Sequence, residues 1–107
     1  MSRELYMKYV YPACFYKSEN GYAVVFYDFE CATQGDSLTE AAAMAAEAAA
    51  GWIIGSLGQG ETLPQASPVE RVQAEEGGFV SLVYVDLDEI AAVYNEEPVE
   101  RMVAVMS

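Results

Sequence analysis

The chain has 107 residues, which suits one hydrophobic core, because compact domains commonly contain ~100–150 residues. Hydrophobic residues make up 53% of the chain, well above the share in a disordered acidic chain, so the sequence predicts a folded domain. With 17 Asp and Glu against 5 Lys and Arg, the net charge of −12 would repel a phosphate backbone and argues against direct nucleic-acid binding.

A β-hairpin is the first predicted element. Aromatic and β-branched residues fill positions 8–16, and Asn20-Gly21 separates this run from a second one at 22–26. Pro12 has no N–H to donate, so the first strand should be an edge strand there or carry a bulge near it. After a turn at 28–30, residues 31–34 predict a third, short strand.

A long helix is predicted next, from Leu38 to about Leu57. Ser37 and Glu40 have the spacing of a capping box, in which each side chain bonds to the other residue's free backbone N–H. Alanine dominates positions 41–50 and favours helix. One apolar face recurs at intervals of three and four residues and is expected to pack on the sheet: Leu38, Ala41, Ala42, Ala45, Ala49, Trp52 and Ile53.

The second half of the chain predicts a loop, a strand and a short helix. Residues 60–67 have no helical or strand period and read as a loop, and 69–74 fit either a strand or an irregular return. Residues 79–85 predict a strand, 86–94 a short helix, and 99–106 a possible final strand. The fold class is therefore α+β, with a three- to four-stranded sheet and one long helix on one face.

Residue types argue against a cofactor, a metal site or catalysis. The chain has no His, and Cys14 and Cys31 lack the spacing of a metal or redox pair. No N-terminal stretch has the form of a signal peptide, and we expect no apolar run to reach the ~18 residues that span a bilayer. We therefore expect a cytoplasmic protein that is not an enzyme and has no membrane partner.

A run after the hairpin resembles a known family. The chain resembles HicB-type antitoxins in the order of three features. A hairpin is followed by Asp28-Phe29 and then by Thr-Gln-Gly-Asp-Ser-Leu-Thr-Glu-Ala at 33–41. Residues 11–13, Gly21-Tyr22 and Leu63-Pro64 also fall where the family places similar residues, so the resemblance covers Met7 to about Val99.

The resemblance implies a truncated RNase H-like fold that binds and blocks a small basic toxin of HicA type, which cleaves mRNA. It also implies a homo-oligomer, a dimer or tetramer. Family members usually have Phe-Pro-Asp-Leu-Pro-Gly-Cys where this chain has Phe-Tyr-Asp-Phe-Glu-Cys at 26–31. Tyr replaces Pro, and the turn is one residue shorter. Many members continue into a DNA-binding module, whereas this sequence ends at Ser107, so direct DNA binding is not expected of it.

We predict one domain over 1–107, with a tail at 1–6 and an extension at 95–107. Acidic and aromatic side chains around the turn and before the strand predicted at 79–85 are the candidate contacts to a basic partner. These candidates are Tyr27, Asp28, Phe29, Glu30, Asp36, Glu75 and Glu76.

Alternatives remain open from the residues alone. Asp28, Glu30 and Asp36 could form the carboxylate cluster of a metal-dependent nuclease, but an Asp in a turn and one beside a helix N-cap both have structural explanations. A stand-alone binding or assembly module without a toxin is the other alternative.

The two faces of the sheet also allow two interpretations. Alternation along the second strand places Tyr22, Val24 and Phe26 on one face and Ala23, Val25 and Tyr27 on the other. Either both faces are covered, or one is a binding or oligomer surface.

Overall fold

The computed structural model describes residues 8–90, which form one antiparallel sheet and one long helix. The strands are β1 Lys8–Ser18, β2 Gly21–Phe26, β3 Ala32–Gly35 and β4 Gly78–Asp86, in the sheet order β3-β2-β1-β4. Helix α1, Leu38–Gly58, lies between β3 and β4 in the chain and packs on one face of the sheet. The predicted α+β fold class is confirmed.

The start of α1 follows the predicted cap in part. Ser37 is the N-cap, and its Oγ accepts the N–H of Glu40 at 3.1 Å. The Glu40 carboxylate accepts the N–H of Asp36 at 2.5 Å, one residue earlier than in the predicted capping box. Both bonds fix the direction in which the chain enters the helix.

Small side chains form the sheet-facing surface of α1. Its buried residues are Ala41, Ala45, Ala49, Ala50, Ile53 and Ser56. Leu38 and Ala42, which were predicted on this face, are exposed because they lie at its margin.

Helix α1 is long and apolar enough to cross a bilayer, with a mean hydropathy of 1.3. This corrects the expectation that no apolar stretch is long enough. Its alanine face is part of the core cluster, so α1 is the core helix of this domain.

Pro12 lies in a middle strand rather than in an edge strand. β1 pairs with both β2 and β4, and its register with β4 runs without interruption from Lys8 to Tyr16, so the prediction of an edge strand or a bulge at this position is wrong. The β1–β2 register ends at the pair Ala13–Phe26, and beyond it the Pro12 carbonyl accepts the N–H of Tyr27 at 3.3 Å. The missing N–H therefore falls where the ladder with β2 has already ended.

The connection between α1 and β4 is mostly irregular. Val69–Arg71 forms a short 3-10 helix, so the predicted irregular return is found rather than a strand. After β4, residues 87–90 are helical, and the Asp86 carboxylate accepts the N–H of Glu89 at 3.2 Å, as expected for a carboxylate at a helix start. The rest of that predicted helix, the predicted strand at 99–106, the tail and the whole extension lie outside the described residues.

Candidate functional site

The turn between β2 and β3, residues 27–31, presents acidic and aromatic side chains at one end of the sheet. The Phe26 N–H donates to the Cys31 carbonyl at 2.9 Å and closes the turn. Tyr27 is 55% exposed and Glu30 is also exposed, and residues 25–32 line an open cleft of about 600 Å³. This β2–β3 turn is therefore a surface that a partner can reach.

Phe29 holds the turn against the core. Its ring is only 8% exposed and stacks on Trp52 at a centroid distance of 4.2 Å and on Phe26 at 4.9 Å. Tyr11 meets the same ring edge to face at 4.9 Å. Such pairs add about 0.5–1.5 kcal/mol each beyond the area they bury. Phe29 thus links β1, β2 and α1 beneath the exposed turn.

Asp28 joins the turn to a distant part of the chain. Its carboxylate accepts the hydroxyl of Ser67 at 2.5 Å and the Ser67 N–H at 3.0 Å. Close by, the Tyr11 hydroxyl donates to the Pro64 carbonyl at 2.6 Å. The connection after α1 is therefore bonded to this end of the sheet at two points.

Asp36, Glu75 and Glu76 lie at the other end of the sheet. The backbone of Asp36 lies against Gly21 at the start of β2, where an added Cβ would fall 2.9 Å from the Asp36 Cα. The Glu75 N–H donates to the Tyr16 hydroxyl at 3.1 Å, near the same end. Since β2 runs between the two ends, they are roughly 17 Å apart at ~3.3 Å per residue. The seven predicted contact residues thus divide into two acidic groups.

The proposed carboxylate cluster for a metal is not formed by the described residues. Asp28 and Asp36 lie at opposite ends of the sheet, and both Asp28 oxygens accept bonds from Ser67. Within residues 8–90, no group of three or more Cys, Asp or Glu side chains is close enough to hold a metal ion. A metal-dependent nuclease therefore gains no support from this region.

Two groups near the turn, the buried Tyr11 and the half-buried Cys31, have shifted pKa values. Burial raises the pKa of the Tyr11 phenol, and the nearby Tyr9 and Asp28 raise it further. Burial also raises the pKa of the Cys31 thiol, which keeps it protonated. Both groups are neutral near pH 7 and act as packing or hydrogen-bonding residues.

Ser67 and Trp52 were not predicted to support the site. Trp52 was assigned to the apolar face of the helix, but its stacking on a turn residue has no local sequence signal. Ser67 lies 39 positions from Asp28, and only paired variation between the two positions in related sequences would reveal such a contact.

The fold defines the class first: a small acidic α+β domain with a single antiparallel sheet and one covering helix. The family described as HicB_like antitoxin of bacterial toxin-antitoxin system matches residues 11–100. The chain therefore belongs to the HicB-like antitoxin family.

Known proteins support this assignment. A chain of the toxin-antitoxin complex from Streptococcus pneumoniae is 30% identical, with a TM-score of 0.70, over 78% of this chain and 73% of that one. A chain of the HicA3 and HicB3 toxin-antitoxin complex is 26% identical, with a TM-score of 0.63, over 73% and 99%. An uncharacterized 14.9 kDa protein from the rep-hol intergenic region of Haemophilus phage HP1 is 39% identical over 82 residues. This match covers 74% of the chain but only 61% of the phage protein.

Proposed function

We propose that this protein is an antitoxin that binds and sterically inhibits a small basic HicA-type toxin that cleaves mRNA. Membership of the HicB-like family and the likeness to chains of two toxin–antitoxin complexes support this proposal. The inhibition needs no chemistry from this chain, because covering the toxin's active or RNA-binding surface is sufficient.

The observation that carries the proposal is the construction of the β2–β3 turn. Tyr27 and Glu30 are exposed at its tip, while Asp28 and Phe29 hold it from below. A turn held on two sides loses little conformational entropy on binding, which favours affinity. Tyr is enriched at interfaces, and a neighbouring carboxylate suits a basic partner.

Roles within the predicted contact set differ in this proposal. Tyr27 and Glu30 contact the toxin directly, and Asp28 and Phe29 position them. Asp36, Glu75 and Glu76, at the other end of the sheet, attract the basic toxin over a longer range and mainly raise the association rate. The carboxylates of both groups thus contribute to the net charge of −12 that attracts a basic partner.

The proposal includes a cytoplasmic location, self-association and no catalytic role. A cytoplasmic site is where a toxin that cleaves mRNA would act. A stand-alone binding or assembly module without a toxin partner remains the second candidate.

A pull-down of the tagged chain from its native host, at low and moderate salt, tests the proposal. We expect a stoichiometric small basic protein whose translation arrest the chain relieves. Glu30→Lys should weaken its retention at least tenfold, whereas Glu47→Lys, the same charge change on the exposed side of α1, should not. Equal loss of binding in both variants would make the effect one of net charge and would remove the turn from the interface.

A further inference from the structure

The face of the sheet opposite α1 carries a patch of exposed apolar side chains. Tyr11, Ala13 and Phe15 of β1 belong to the core under α1, so the even-numbered residues of β1 point to the other face. Their partners on that open face are even-numbered in β4 and odd-numbered in β2. Five large residues of the open face are 41–55% exposed and are called the open-face patch here: Val10, Val25, Tyr27, Leu82 and Tyr84.

The strand register brings the members of the patch together. In the pairing of β1 with β4, Val10 lies opposite Tyr84 and Pro12 lies opposite Leu82. The Tyr27 N–H donates to the Pro12 carbonyl at 3.3 Å, which places Tyr27 on the other side of Pro12 from Leu82. Directly opposed side chains in an antiparallel pair have Cβ atoms roughly 4.5–5.5 Å apart. The patch is therefore continuous from the β2–β3 turn across β1 to β4.

Two further residues form a closed floor in the middle of the patch. Pro12 is less than 2% exposed and Cys14 is 7% exposed, although both lie on the face that α1 leaves open. Cys14 lies opposite Val25 in β2 and opposite Val80 in β4. Contiguous apolar patches of this kind mark interaction sites on soluble proteins, whereas single exposed apolar residues do not.

Carboxylates lie around one end of the patch. Glu30 is exposed in the β2–β3 turn, and Asp88 and Glu89 are exposed directly after β4, at the same end of the sheet. Lys8, also at this end, pairs with Asp86 at 3.8 Å. Within residues 8–90, no ion pair engages Glu30, Asp88 or Glu89. The apolar patch thus has an acidic margin whose charges are available to a partner.

This charge selects among the possible occupants of the patch. A second copy would bring the same carboxylates together in a chain of net charge −12, and an anionic membrane surface would be repelled in the same way. A basic protein instead gains attraction from the margin while its own apolar side chains cover the patch. An apolar centre with a polar rim is the usual anatomy of a protein interface.

We propose that the open-face patch is the centre of the toxin interface, and that the toxin surface covering it has apolar side chains in the middle and Lys or Arg at the margin. Leu82 and Tyr84 supply the main apolar contact, and Tyr27 joins it to the β2–β3 turn. Glu30 and the carboxylates after β4 meet the basic margin. This inference rests on the proposed function and specifies the surface that it uses, while inhibition through the turn alone would satisfy the proposed function without it.

Affinity for the purified cognate HicA-type toxin tests the patch with two matched pairs of substitutions. Leu82→Ser with Tyr84→Ser removes apolar side chains from the patch, whereas Ile54→Ser with Leu57→Ser removes equally exposed ones from α1. We expect the first pair to raise the Kd at least about tenfold, by a similar factor at low and high salt, and the second to change it less than about twofold. Salt should weaken binding of the wild-type chain, because it screens the charges at the margin.

The outcomes separate this inference from the proposed function. Circular dichroism should show that both double variants are folded. Wild-type affinity in the folded Leu82 and Tyr84 variant would overturn the inference and leave the proposed function standing. A wild-type chain that neither binds the toxin nor relieves its translation arrest would overturn both.

Hydroxyl-radical labelling keeps the test decisive if the Leu82 and Tyr84 variant fails to fold. In the free wild-type chain, Tyr27 and Tyr84 should be labelled, and the toxin should protect both without protecting Met44, which is exposed on α1. Protection in the free chain that rises with protein concentration would assign the patch to a second copy. Protection at every concentration would assign it to another segment of the same chain, and either result would overturn the proposal.

Discussion

Ser67 donates both its hydroxyl and its backbone N–H to the carboxylate of Asp28, at 2.5 and 3.0 Å, across 39 positions of the chain. Hydrogen bonds to a charged group contribute about 1.5–3 kcal/mol, more than neutral ones. The position of the β2–β3 turn therefore depends on the connection that follows α1. A change in either segment should be felt in both stability and binding.

Removing the Asp28 carboxylate should destabilise the fold. We expect Asp28→Ala to lower the free energy of unfolding by about 2 kcal/mol, because Ser67 loses its acceptor. Ser67→Ala should cost about 1 kcal/mol, since the backbone N–H bond remains. Urea unfolding of both variants measures these values. The double variant should lose no more than Asp28→Ala alone, and fully additive losses would contradict the assigned bond.

Substitutions at Phe29 and Tyr27 should separate an effect on stability from an effect on toxin binding. Phe29→Ala removes the ring stacked 4.2 Å from Trp52 and should cost about 3–5 kcal/mol. Because Trp52 is the sole tryptophan, its fluorescence should report the change directly. Tyr27→Ala, at an exposed side chain, should change stability by less than about 0.5 kcal/mol but weaken toxin binding. Normal toxin affinity in Tyr27→Ala would place the contact elsewhere.

The two acidic groups should differ in binding kinetics. Glu30→Lys is expected to raise the toxin's dissociation rate, because a direct contact is lost. The pair Glu75→Lys and Glu76→Lys should instead lower the association rate and reduce its dependence on salt. Surface plasmon resonance at two ionic strengths distinguishes these outcomes. A changed dissociation rate in the Glu75 and Glu76 variant would show that this end also lies in the interface.

Gly35 should tolerate no side chain, in contrast to Gly51. A Cβ at Gly35 would lie 2.7 Å from the Ala41 Cα and 2.8 Å from the Glu40 carbonyl carbon, so the start of α1 would have to move. We expect Gly35→Ala to cost at least about 2 kcal/mol. Gly51 faces open space, so Gly51→Ala should stabilise the helix by about 0.5–1 kcal/mol. Thermal unfolding of the pair measures both, and a neutral Gly35→Ala would contradict the close packing.

Local patterns predicted the elements well, because hairpin, cap and helix signals act within a few residues. The observed α1, Leu38–Gly58, ends one residue beyond the predicted limit. Pairing between strands that are distant in the sequence was harder to predict. The position of β1 between β2 and β4 depends on where β4 returns to the sheet. The register of β1 with β2 ends at Ala13, so the N–H that Pro12 lacks is not required there, and the sequence around Pro12 could not indicate this.

The candidate site was predicted as a list of residues but not as an arrangement. Charge and residue type selected Asp28 and Asp36 together, whereas the antiparallel course of β2 and β3 separates them to opposite ends. The buried ring of Phe29 and the role of Ser67 depend on tertiary contacts that no local pattern encodes. The individual contact residues remain predictions until toxin binding is measured.

Stability should fall at alkaline pH through Tyr11. The folded-state pKa of its phenol is raised by burial first, and then by Tyr9 and Asp28, above the usual value of about 10. The folded protein therefore holds this proton more tightly than the unfolded chain. Its contribution is fully present below about pH 10 and is lost as pH rises through the folded-state pKa.

Tyr11→Phe provides the matching variant. It should lose about 1 kcal/mol at pH 7, because the Pro64 carbonyl loses its 2.6 Å donor, and its stability should fall less steeply above about pH 10. Urea unfolding from pH 7 to pH 11 measures both effects, and Tyr27→Phe, at an exposed position, should retain the wild-type slope. If Tyr11→Phe kept that slope as well, the alkaline loss would have to come from other groups, and the buried phenol would not be the residue that couples this end of the sheet to pH.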